Sequence, residues 1–99
     1  MKKHTKIFLQ SRGQYQPNMM ADDLNIMCEY CNSRPMVDVN HIEPRGMGGS
    51  KNKDNPFNLI GMCRECHQDF EAKKISKKEC TEIVDYILSM EAHEASHAV

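Results

Sequence analysis

Residues 28–74 read CEYCNSRPMVDVNHIEPRGMGGSKNKDNPFNLIGMCRECHQDFEAKK, and the cysteines at the two ends of this stretch decide how the chain folds. Cys28 and Cys31 form one C-x2-C pair, and Cys63 and Cys66 form a second after 31 intervening residues. A two-residue spacing turns both sulfurs of a knuckle toward one point, and two knuckles complete a tetrahedral thiolate site. Two disulfides are the other use of four cysteines. Paired knuckles suit four sulfurs around one atom better, and a cytoplasmic chain is kept reduced. The expectation is one structural zinc per chain. The 99-residue length agrees with it, because a domain this small buries a modest core and gains from a metal whose binding is coupled to folding. Cys80 is left over and reads as a buried apolar residue on a helix face.

Working outward, residues 36–42 (MVDVNHI) alternate apolar and polar with β-branched positions, which predicts a half-buried strand ended by Pro44. Residues 45–58 are rich in Gly, Asn, Lys and Pro and read as an irregular loop. Leu59 to Met62 reads as a second short strand, and Cys63 to Lys74 as a helix. Ser76 and Glu79 form a capping box ahead of another helix, which sets Cys80, Ile83, Val84, Ile87 and Leu88 on one face. Residues 92–99 are expected to fray. In the N-terminal part, Lys6 to Gln10 is read as a short strand and Ser11 to Asn18 as polar loop. The expected organisation is an extension over 1–27, a core over 28–75, and a C-terminal helix with an acidic tail over 76–99.

Neither a membrane span nor a secretory leader is expected. No apolar run approaches the roughly 20 residues of a span, and only Ile7, Phe8 and Leu9 follow Lys2 and Lys3. The cytoplasm is the expected address. The net charge of −1 hides an asymmetry: the first 78 residues carry +4, while residues 79–99 hold five acids and no Lys or Arg.

Strand, loop, strand and helix place Asn58 just before the second strand and can bring His41 and His67, 26 residues apart, to one divalent ion. The segments CEYC, VNHIEPRGMGG and NPFNLIGMCRECH resemble the HNH endonucleases of the ββα-metal (His-Me finger) type, in their four-cysteine zinc form. The resemblance implies an α+β single domain: a ββα-metal motif clamped by a four-cysteine zinc site, with a C-terminal amphipathic helix added. It implies a phosphodiester hydrolase acting on DNA, with the double-stranded form as the expected substrate, that leaves 5′-phosphate and 3′-hydroxyl ends. By position, His41 resembles the general base, Asn58 the middle Asn and His67 the ligand of a catalytic Mg²⁺ or Mn²⁺ separate from the zinc. Imidazole suits a base near neutral pH, and a cation stabilises charge on the leaving oxygen. Asn58 is expected to brace the loop through backbone hydrogen bonds.

One position departs from the family. The second ligand, usually Asp or His, is here Asn40, whose amide oxygen binds a cation without offsetting its charge. Three outcomes stay open: a nuclease with a weak metal site, one needing Mn²⁺ or a partner, or a degenerate nuclease that only binds DNA. The alternative function is therefore a zinc-stabilised DNA- or protein-binding module. Glu71 stands one turn after His67, where some relatives place a second His. Arg45 is a candidate phosphate clamp, and Lys51, Lys53, Lys73, Lys74, Lys77 and Lys78 are candidate backbone contacts. The family's habits point to a phage or mobile element, with a larger phage or recombination complex as a candidate partner.

Overall fold

The alternation over residues 36–42 resolves into a four-residue strand, β1 (Asp38–His41), paired antiparallel with β2 (Leu59–Met62) in a two-stranded sheet. The computed structural model describes residues 2–19, 26–44 and 51–97. Arg45, with Gly46, Gly48 and Gly49, lies outside the described residues. In the register, Val39 is opposite Gly61, Asn40 opposite Ile60 and His41 opposite Leu59. Side chains alternate along a strand. Val39, His41, Leu59 and Gly61 therefore share one face, and Asp38, Asn40, Ile60 and Met62 the other.

The first face is covered by α1 (Lys3–Ser11), a helix where the sequence reading placed a strand over Lys6 to Gln10. Burial explains the correction. Phe8 and Leu9 are both fully buried, and Arg12 is nearly so. Adjacent strand residues would point oppositely, whereas positions 8, 9 and 12 fall on one helix face. Gly13 ends the helix at φ 69°. The N–H groups of Gly13 and Gln14 donate to the carbonyls of Gln10 and Leu9 (3.2 and 2.8 Å), a closure that needs the left-handed conformation glycine adopts freely.

Phe8 and Leu9 pack with Met36, Val39 and Leu59. A Cβ on Gly61 would lie 2.6 Å from Met36 Sδ and 2.9 Å from Phe8 Cζ, so the helix seats on the sheet only because residue 61 has no side chain. Arg12 closes this side. Its guanidinium donates to Glu29 through Nε (2.9 Å) and Nη2 (3.2 Å), and Nη2 also reaches the Leu59 carbonyl at 2.8 Å. Glu29 in turn accepts the Gly61 N–H at 3.0 Å. Both side chains of the ion pair are buried.

The second face packs Ile42, Ile60 and Met62 against Cys28, Cys63, Cys66, Ile75, Cys80 and Val84. Two helices carry these residues: α2 (Arg64–Glu71) and α3 (Lys77–His97). The capping box forms, with the Glu79 N–H donating to Ser76 Oγ at 3.1 Å. Cys80 and Val84 are buried on α3, and Ile83 and Leu88 pack beside them. The backbone of α3 stays helical to His97, past the point where fraying was expected. The described part of the 45–58 segment is more regular than a loop. It holds two 3-10 turns, Lys51–Asp54 and Pro56–Asn58, the second capped by Asn55 Oδ1 accepting the Phe57 N–H at 2.9 Å.

Candidate active site and metal centre

The Sγ atoms of Cys28, Cys31, Cys63 and Cys66 all lie within 4.8 Å of one another, with Cys31 and Cys63 at 3.8 Å. A disulfide brings two sulfurs to about 2.05 Å. Zinc with bonds of about 2.3 Å holds tetrahedral sulfurs about 3.8 Å apart. All five cysteines are free thiols, so the donor set fits a metal ion such as zinc. The two knuckles are built alike: the Cys31 N–H points at Cys28 Sγ, and the Cys66 N–H at Cys63 Sγ, both at 3.5 Å.

These dipoles bear on the thiols. Cys31 is pulled down to about 6, first by the backbone N–H of Ser33. Burial opposes ionisation of Cys63, yet hydrogen bonds from Arg34 and the Cys66 N–H hold it below the ordinary thiol range. Burial pushes Cys66 up. A cation at the centre would supply the positive charge these sulfurs share too little of. Cys80 stands apart, fully buried and pushed up to about 11 by that burial, as a structural residue should be.

Asn58 sits at the end of its 3-10 turn, just before β2, and works as a brace. Its Nδ2 donates to the carbonyls of Lys53 (2.7 Å) and Glu43 (3.0 Å), and its Oδ1 accepts the Glu43 N–H (2.9 Å). One amide thus ties the end of β1 to the turn before β2.

His41 and Asn40 are neighbours that face opposite sides of the sheet. On the α1 side, the His41 ring packs against His4 with centroids 4.7 Å apart, and its Nε2 lies 2.8 Å from Asp54 Oδ1. On the other side, His67 is held between two carboxylates: Nδ1 is 3.4 Å from Asp38 and Nε2 is 3.0 Å from Glu71. The Nδ2 of Asn40 is buried without a hydrogen-bond partner. The two sides meet at one cleft of about 890 Å³, lined by Asn40, His41, His67, Glu71 and Lys77 among others. Lys77 spans its rim to Glu43 at 3.1 Å.

The sequence reading missed Asp38, Asp54 and His4. Asp38 was within reach, since it stands two residues before Asn40 and so shares its strand face. Nothing in the spacing pointed to Asp54 or His4, which arrive through a turn and a helix that the reading did not contain.

Residues 28–73 match the family model described as HNH endonuclease. No curated protein and no solved structure matches the chain. No helix among the described residues is long and apolar enough to cross a membrane. Two antiparallel strands, a following helix and four cysteines gathered at one point thus make residues 28–73 the part of the chain that matches the HNH endonuclease family, with cysteines placed as in its zinc-containing form.

Proposed function

We propose that the protein is a metal-dependent DNA endonuclease in which His41 is the general base and His67, with Asn40, holds the catalytic cation. The observation that carries this reading is the shared cleft: a histidine from one face of the hairpin and a histidine from the following helix open into the same space. A phosphodiester placed there would have a base on one side and a metal ligand on the other.

His41 takes a proton from a water at its unprotonated ring nitrogen. The water oxygen bonds to phosphorus, the P–O3′ bond breaks, and the 3′-oxygen takes a proton from solvent, leaving 5′-phosphate and 3′-hydroxyl ends. Mg²⁺ or Mn²⁺, when bound, stabilises the charge that develops on the phosphate and the leaving oxygen. The local residues fit such an ion. Asn40 offers an amide whose Nδ2 has no partner, and Asp38 and Glu71 bring beside His67 the negative charge that Asn40 lacks. Each ring nitrogen of His67 faces a carboxylate, Nε2 at 3.0 Å from Glu71 and Nδ1 at 3.4 Å from Asp38, so a cation held by the ring would have an oxygen donor beside it.

Asn40 favours one second reading, a DNA-binding module whose catalytic ion is too weakly held to act. Supercoiled plasmid incubated with zinc-loaded protein and Mg²⁺ or Mn²⁺ separates the two. The nuclease reading expects nicking that disappears in His41→Ala. Nicking that first appears in Asn40→Asp would favour the binding module, and nicking abolished by Asn40→Asp would remove Asn40 from the ligand set.

A further inference from the structure

We infer that Asp54 is the positioning residue of His41: it holds the ring as the tautomer with hydrogen on Nε2 and so makes Nδ1 the nitrogen that receives the proton from water. This rests on the nuclease reading above. The first support is the contact itself. Asp54 Oδ1 lies 2.8 Å from His41 Nε2, and the two side chains are 7% and 15% exposed. An ionised carboxylate can only accept, so Nε2 carries the hydrogen. A neutral imidazole has one donor and one acceptor nitrogen, which leaves Nδ1 bare.

The second support is the way the contact is held. Asn58 bonds to the carbonyl of Lys53, the residue before Asp54, and to both backbone groups of Glu43, two residues after His41. The Ile42 N–H, between them, donates to the Asn58 carbonyl at 2.8 Å. A single residue therefore sets the separation between the turn that carries Asp54 and the strand that carries His41. In this arrangement Asn58 acts on the chemistry through Asp54, without touching substrate. The third support is the packing of the ring. His4 of α1 lies against it at 4.7 Å with the planes tilted by 55°, so the imidazole is confined by a helix and a turn together. His67, Glu71 and Lys77 line the same cleft. After proton transfer the carboxylate also faces the imidazolium, which stabilises the charge formed.

The test uses the zinc-loaded full chain and two variants, Asp54→Ala and Asp54→Asn. Zinc content and circular dichroism establish that each is folded. The amide introduced by Asp54→Asn can donate to Nε2, which favours hydrogen on Nδ1 and leaves the wrong nitrogen bare. Plasmid nicking should fall about 100-fold in Asp54→Ala, as for a misplaced catalytic group. It should fall roughly 10³- to 10⁴-fold in Asp54→Asn, as when a tautomer is inverted. A merely structural role predicts the reverse order, because Asn is the closer fit to Asp.

The second readout is the ¹⁵N spectrum of His41, assigned by its absence in His41→Ala. Wild type should show Nε2–H and Asp54→Asn should show Nδ1–H. Hydrogen on Nδ1 in wild type, or nicking by Asp54→Asn equal to or better than that of Asp54→Ala, would overturn the inference. The nitrogen spectra decide the clamp even for a protein that nicks nothing, so its failure is read separately from failure of the nuclease reading.

Discussion

The two faces of the hairpin are stabilised by different means. On the α2 and α3 side, four cysteines gather at one point and a metal ion can hold strand, helix and knuckle together. On the α1 side there is no such cluster among the described residues. A nine-residue helix, a bare glycine and a buried Arg12–Glu29 pair do the equivalent work. A small domain can thus seal one side of a sheet with inorganic chemistry and the other with packing. The candidate site needs both, since Asn40 and His67 stand on the first side and His41, Asp54 and His4 on the second.

Removing the metal face should have the largest effect. Structural zinc contributes an apparent value of roughly 10–16 kcal/mol in small domains, about the whole stability of an ordinary fold or more. Cys63→Ser, whose hydroxyl can still cap α2 and so isolates the loss of the thiolate, should abolish the cooperative thermal transition. A variant with a native melting temperature would show that the packed face suffices alone.

Arg12→Ala attacks the other face. It leaves Glu29 buried without its partner, a loss of about 3–5 kcal/mol. The melting temperature should fall while the protein retains one zinc per chain. Loss of zinc in a variant that stays folded would mean that the faces are not separable, with Glu29, inside the first knuckle, as the link.

Gly61→Ala sharpens the same contrast on a smaller scale. The added methyl meets Met36 and Phe8, and overpacking of this kind costs about 1–3 kcal/mol. Calorimetry should detect it without change in zinc content.

The smallest effect belongs to the metal side. Ser76→Ala removes the cap of α3 and should cost about 1 kcal/mol. Hydrogen bonds from Tyr30 and Ser76 hold the Glu79 carboxyl below its ordinary 4.5. A depressed carboxylate stabilises the fold above its unfolded value and loses that contribution as pH falls through the folded one. The capping contribution of Glu79 should therefore fade below about pH 4.5, and melting curves of wild type and Glu79→Gln should converge there.

The metal face was legible in the sequence because its determinants are local: C-x2-C spacing, the Ser76–Glu79 box, and helical periodicity from Cys80 to Leu88. The hairpin was legible for the same reason, through alternation over 36–42 and the Leu59 to Met62 run. The α1 face was not. Ile7, Phe8 and Leu9 are three consecutive apolar residues in a nine-residue element, too few to reveal a period. The clearest sign of a helix there was the stop at Gly13. Arg12 and Glu29 are 17 residues apart, and each looks like an ordinary surface charge. His41, Asn58 and His67 could be singled out because the resemblance supplied their pattern. Asp54 could not, since its role depends on a turn whose position is set by the side chain of Asn58.

That side chain has one more consequence, for tolerance to change. By bonding Glu43 to Lys53, Asn58 pins the two chain ends that bracket residues 44–52, so the length of that segment is uncoupled from the spacing of His41 and Asp54. Substitution is therefore least tolerated at position 58, where one side chain keeps the histidine, the carboxylate and the sheet in their places.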